Sequence, residues 1–258
     1  MIAIFDSGLG GLTALKEIRT AYPAEDLVYF GDTSRVPYGT RSRDTIIKYA
    51  RQDMRFLMTH QPDAVVVACG TVSSTALDIL RSEFPLPIIG VVEGAAKRAL
   101  SLSKSGKIGV IGTAATVRSG SYARAIHALS PEAEVTQIAC PLFVPLVENG
   151  FSSEGDPIAR LTCERYLAPI REAGVDTLIL GCTHYPLLTW AISETLPNTA
   201  LVSAGAEAAK MLTLEKRAGI GSVKYYVSDD PAGFEANASI FLAHDLEHPV
   251  EKIDIETY

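Results

Sequence analysis

Short apolar runs alternate with helical patterns along the whole of this 258-residue chain, and that alternation constrains the fold more than any other feature. MIAIF precedes GLTALKEIRTAY, DLVYFGD precedes RDTIIKYARQDMRFLMTH, DAVVVAC precedes TALDILRSEF, and PIIGVV precedes EGAAKRALSL. The rhythm resumes with KIGVIG before SGSYARAIHAL, EVTQIAC before a long segment, DTLILGC before LLTWAISETL, and ALVSAG before AEAAKML. Strands joined through helices imply crossover units and mainly parallel sheets. The length is near the point where one core gives way to two. The expected architecture is therefore α/β, with two similar lobes, each a mainly parallel sheet flanked by helices. The polar stretch SLSKSGK marks the boundary, so residues 1–98 form the first lobe and 99–208 the second.

The halves also match in detail. Asp63 stands six positions before Cys69, and Asp176 six before Cys182. VVEGAAKRAL and LVSAGAEAAKML are alike as well, which points to duplication of one α/β unit. In open parallel sheets ligands bind at the carboxyl ends of the strands, where both cysteines fall. If the lobes face each other through a pseudo-twofold axis, Cys69 and Cys182 enter one cleft from opposite sides. Each also stands at the start of a helix, where backbone N–H groups favour a thiolate. The competing reading is a small hydrophobe buried in the core.

A net charge of -7 and a pI near 5.3 argue against nucleic acid, whose binding needs clustered Lys and Arg. The start of the chain has no basic n-region, and no apolar run approaches the roughly 18 residues that span a bilayer. No membrane association and a cytoplasmic location are expected. Cys69, Cys140, Cys163 and Cys182 form no CxxC pair, which suggests free thiols and no zinc ribbon. No metal is expected, because His60, His127, His244 and His248 have no ligand spacing to a cysteine.

Three further stretches carry candidate chemistry. In FDSGLGGLT, Thr13 occupies the place of a dinucleotide fingerprint's third glycine and no Walker lysine follows, so nucleotide binding is the weaker reading. Asp6 and Ser7 end a strand there, where a carboxylate assists proton transfer and a hydroxyl holds a charged substrate; a helix cap is the alternative. Glu148 in PLVENG is a second carboxylate, with a solvated loop residue as its plain reading. In GCTHYPLL, Thr183 and His184 follow Cys182 directly, and His184 is placed to orient or protonate a group beside the thiol. A capping or core histidine is the alternative.

FDSGLGGL, GDTSRVPYGTRS, VVACGTVSST, IGTAATVRSGSY, PLVENG and LGCTHYPLL, in this order, resemble the glutamate racemases, and YYVSDDPAGF is similar too. The resemblance covers nearly the whole chain. It implies a cofactor-independent, two-thiol amino acid racemase that supplies D-glutamate for peptidoglycan, with residues 209–258 returning to the first lobe and a homodimer as the assembly. Cys69 and Cys182 match the catalytic cysteines, and Asp6, Glu148 and His184 match positions that assist them. Ser7, Tyr38, Gly39, Thr71 and Thr183 match substrate-holding positions, and Thr113 and Thr116 fall in a threonine block of similar role. Gly70, also counted among the substrate-binding positions, departs from the family's frequent asparagine. Its bare backbone either draws N–H groups toward a carboxylate or shifts substrate preference. Ser203 and Ala204 depart as well, from an acidic residue followed by Ser or Pro.

The implied chemistry agrees with the residues. Racemisation removes the Cα proton from one face and returns one to the other, which two thiols on opposite sides can do. Without a pyridoxal sink, the carbanion depends on the pocket's own dipoles. The rival readings are a two-cysteine racemase for aspartate or another acidic amino acid, an idle amino-acid-binding module of the same fold, and a thiol hydrolase or transferase using one cysteine as nucleophile with His184. The last leaves one cysteine unexplained.

Overall fold

The structure is a computed structural model and describes residues 1–215 and 217–258. Its strands lie in two sheets. The first contains β1 (Ile2–Asp6), β2 (Leu27–Gly31), β3 (Ala64–Val67), β4 (Ile88–Gly90), β9 (Val223–Val227) and β10 (Val250–Lys252), in the order β10-β9-β2-β1-β3-β4. The second contains β5 (Lys107–Gly112), β6 (Glu134–Ala139), β7 (Thr177–Leu180) and β8 (Ala200–Ser203), in the order β6-β5-β7-β8. Every pairing is parallel. The expectation of two mainly parallel, helix-flanked sheets holds. Strands β1, β2, β3 and β7 are buried throughout, which is why they read as unbroken apolar runs.

The strand order β2-β1-β3-β4 of the first sheet recurs as β6-β5-β7-β8 in the second. The paired aspartates have equivalent backbone places in this repeat. Asp63 donates its N–H to Met1 O at 3.0 Å, and Asp176 donates to Lys107 O at 3.1 Å, so each ties the entry of the third strand to that of the first. The Asp176 carboxylate also gathers the turn before β5, accepting from Ser103 Oγ at 2.6 Å and from the N–H groups of Lys104 and Ser105 at 2.8 and 2.7 Å.

Along β1 the side chains alternate between two cores. Ile2 and Ile4 join a cluster that continues through Ile108, Val110, Leu178 and Ile179 of the second sheet. Ala3 and Phe5 face a second cluster beneath helix Arg43–Met58, with Phe30, Met54 and Leu80. That helix starts at Ser42, whose Oγ accepts from Thr45 N at 3.3 Å. Small residues bring the lobes together. Gly205 lies in helix Ala204–Lys210, and a Cβ there would be 3.1 Å from Ala14 Cβ of helix Leu12–Ala21. Among the described residues no helix is long and apolar enough to cross a membrane.

Candidate active site

The carboxyl ends of the two sheets meet around a cavity of about 350 Å³. Cys69 follows β3 and Cys182 follows β7, and both border it. They are 4% and 8% exposed, so each is sheltered yet open to the cavity. Cys69 caps helix Gly70–Thr75 and donates to Ser7 Oγ at 3.6 Å. Burial, with the nearby Asp6 charge, pushes its thiol up to about 12. Asp6 is fully buried behind the cavity, and burial raises its carboxyl, with His184 opposing the rise. It accepts from Gly8 N at 3.0 Å and from Thr183 Oγ1 at 3.5 Å, the second bond crossing between lobes. Its side chain caps no helix; helix Leu12–Ala21 has no side-chain cap.

On the opposite side, Cys182 Sγ lies 3.9 Å from His184 Nδ1, and His184 Nε2 lies 2.9 Å from Glu148 Oε1. Burial disfavours the imidazolium, but the hydrogen bonds to Cys182 and Glu148 outweigh it and hold His184 up to about 10. Both ring nitrogens then carry protons, one directed at sulfur and one at the carboxylate. Glu148 ends helix Phe143–Glu148 and borders the cavity; it is solvent-exposed, as its plain reading expects, and at the same time holds the histidine.

The threonines divide into two roles. Thr71 Oγ1 and Thr113 Oγ1, from opposite lobes, are 2.9 Å apart and both border the cavity. Thr116 is fully buried and stands behind Thr113, 3.0 Å between hydroxyls, so it supports the lining without joining it. Ser7, Gly39, Gly70 and Thr183 border the cavity. Tyr38 does too, but its hydroxyl is turned away and hydrogen-bonds Asp32, and Asp53 at 3.2 Å. These carboxylates flank Arg35, which donates to Asp32 at 2.6 Å and Asp53 at 2.9 Å. This buried ionic cluster was not singled out from the sequence. Its signal is Gln52 and Asp53 lying on the otherwise apolar buried face of helix Arg43–Met58.

Cys140 and Cys163 are buried in the second lobe's core and border no part of the cavity, in keeping with a packing role. A larger cavity, about 510 Å³, lies toward the far ends of helices Gly70–Thr75 and Ala114–Ser119, and neither Cys69 nor Cys182 borders it.

Residues 11–212 match the family profile described as Asp/Glu/Hydantoin racemase. The glutamate racemase of Geobacter metallireducens is 48% identical over 254 residues, covering 95% of this chain and 93% of that protein. Among solved structures, glutamate racemase from Francisella tularensis in complex with D-glutamate superposes with a TM-score of 0.90 at 36% identity, covering 100% of this chain and 98% of that one. A glutamate racemase isoform from Bacillus anthracis gives 0.92 at 33% identity, covering 98% and 97%.

Proposed function

The chain belongs to the Asp/Glu/Hydantoin racemase family, and on that premise we propose that it interconverts L- and D-glutamate by proton transfer between Cys69 and Cys182. The observation that carries this reading is the pair of thiols at equivalent places in the two repeats, bordering one cavity from opposite lobes. One sulfur takes the Cα proton from one face while the other gives a proton to the opposite face. For the other enantiomer the roles exchange.

The two sides are differently prepared. Cys69, pushed up to about 12 by burial and the Asp6 charge, holds its proton and is ready to donate it. Cys182 faces the His184 imidazolium, which donates to sulfur and is anchored by Glu148. As a proton leaves Cα, charge moves onto the substrate carboxylate. The hydroxyls of Ser7, Thr71, Thr113 and Thr183 and the N–H groups beside them are the donors available to meet it. Asp6 ties Thr183 to the first lobe from behind, and Thr116 fixes Thr113, so both act as positioning residues. The D-glutamate product of this reaction is the form used in peptidoglycan.

Glutamate is favoured over aspartate by the high identity to glutamate racemases. The test is incubation of purified protein, without added cofactor and under reducing conditions, with L-glutamate or L-aspartate in D2O. Loss of optical rotation with deuterium at Cα is expected for glutamate. Cys69→Ser and Cys182→Ser should each abolish racemisation. Tolerance of either change would overturn the two-thiol reading, and turnover of aspartate alone would overturn the substrate.

A further inference from the structure

Gly70 is the first residue of helix Gly70–Thr75, immediately after Cys69. Its φ is not positive, so its backbone conformation does not require glycine. Alanine is ordinarily better than glycine in a helix by about 1 kcal/mol. What glycine supplies is space. A Cβ at residue 70 would fall on the carbonyl oxygen of Gly181, well inside the roughly 3.3–3.6 Å of an ordinary C–H···O contact. It would also be 3.1 Å from the Gly181 carbonyl carbon and 3.7 Å from Cys182 Cα.

The obstructing group is backbone, and it is fixed from behind. Gly181 N donates to Ile111 O at 2.8 Å, tying the peptide that precedes this carbonyl to the end of β5. A Cβ on Gly181 itself would meet Ile111 O at 2.9 Å and the Tyr122 ring at 3.1 Å. Two more glycines of the first lobe serve the same junction. A Cβ on Gly10 would collide with Thr183 Oγ1, and one on Gly39 would lie 2.7 Å from Thr113 Cβ. Gly10, Gly39 and Gly70 thus mark where the first lobe touches the second around the cavity.

We infer that Gly70 is a positioning residue: by carrying no side chain it lets the ends of β3 and β7 meet, and it thereby sets the separation of the two sulfurs flanking that meeting point. The inference rests on the two-thiol reading above. Because Gly181 cannot retreat into its own lobe, a side chain at residue 70 displaces one lobe against the other. Cys182 moves away from Cys69, and the Thr71–Thr113 hydrogen bond stretches. The asparagine often found here in the resembling family is therefore not an isosteric replacement in this chain.

The experiment compares wild type with Gly70→Ala and Gly70→Asn, each checked for folding by circular dichroism and thermal melting. In both reaction directions kcat should fall by roughly 10–100-fold, the scale of an ångström's misplacement of reacting groups. KM should rise as well, because the donors to the substrate are divided between the lobes, Ser7 and Thr71 on one and Thr113 and Thr183 on the other. Independently of activity, bis-alkylating thiol reagents of graded length should report the gap. The shortest reagent bridging Cys69 and Cys182, identified by peptide mass spectrometry, should lengthen from wild type to Ala to Asn. Gly39→Ala, which meets a side chain and not backbone, supplies a milder opening if the Gly70 variants do not fold, and should lie between wild type and Gly70→Ala by both measures. A folded Gly70→Ala protein with wild-type kcat, or an unchanged bridging length, overturns the inference. If wild type does not racemise glutamate, the functional reading fails while the bridging series still judges the junction.

Discussion

Besides a 3.5 Å contact to Thr183 Oγ1, His184 makes hydrogen bonds with different consequences to the Cys182 sulfur and to the Glu148 carboxylate. Burial alone would discharge the ring, so its charge depends on these partners. Replacing Glu148 by Gln keeps the shape but removes a negative charge, and the direction of the effect follows. His184 should lose its proton at lower pH than the wild-type value of about 10. The basic limb of the pH–rate profile should move down with it, and an NMR titration of the ring should shift the same way. Activity at neutral pH should fall by roughly tenfold, less than the about 10²–10⁴-fold attached to a group that transfers the proton itself. An unchanged basic limb would remove Glu148 from the site. The pair also links stability to pH. Since the folded value lies above the ordinary 6.5, its stabilisation is complete below about pH 6.5 and is lost as pH rises through about 10. The histidine was legible in the sequence because it adjoins Cys182. Its pairing with Glu148 was not, because residues 36 positions apart meet only through tertiary placement.

The segment after β2 shows how one element positions another. Thr33–Arg35 and Tyr38–Thr40 form short 3-10 turns, the second of which walls the cavity, and Arg35 of the first bridges Asp32 to Asp53 of helix Arg43–Met58. Arg35 also reaches Gln52 at 2.6 Å. The burial of Asp53 and the neighbouring Asp32 charge raise the Asp53 carboxyl well above its usual range, so the cluster relies on the guanidinium. Arg35→Met fills similar space but leaves two buried carboxylates without a counter-charge. Such losses cost about 3–5 kcal/mol, which denaturant unfolding should read as a lower midpoint at unchanged slope. KM should rise as the wall loosens, and a variant as stable as wild type would show the cluster to be incidental. Strand ends were readable here because apolar runs stop abruptly before Asp6, Cys69 and Cys182. The side-chain direction of Tyr38 and the recessed position of Thr116 were not, because sequence assigns a residue to a loop or helix start but not to one side of it.

Although the strand order is repeated, the two lobes are not independent bodies. The larger apolar cluster passes without interruption from Ile4 and Val66 to Val110 and Ile179. It is joined by Leu12, Ala14 and Leu15 of helix Leu12–Ala21 and by Ala204, Ala208 and Ala209 of helix Ala204–Lys210. Duplication was visible from the spacing of Asp63 and Asp176, but spacing says nothing about whether two similar units share a core. A shared core should unfold as one unit, with calorimetric and van't Hoff enthalpies in agreement. The contact to challenge is Gly205 against Ala14, where a Cβ would already approach to 3.1 Å. Gly205→Leu forces the helices apart, and overpacking of this kind costs about 1–3 kcal/mol. At about 2–4 °C per kcal/mol for a chain of this size, the melting temperature should drop by roughly 2–12 °C. If the core is continuous, the single transition should move down as a whole. Two separated transitions in wild type would instead mean that each sheet carries its own stability, and closure of the cavity would then depend on the polar and glycine contacts at its edge alone.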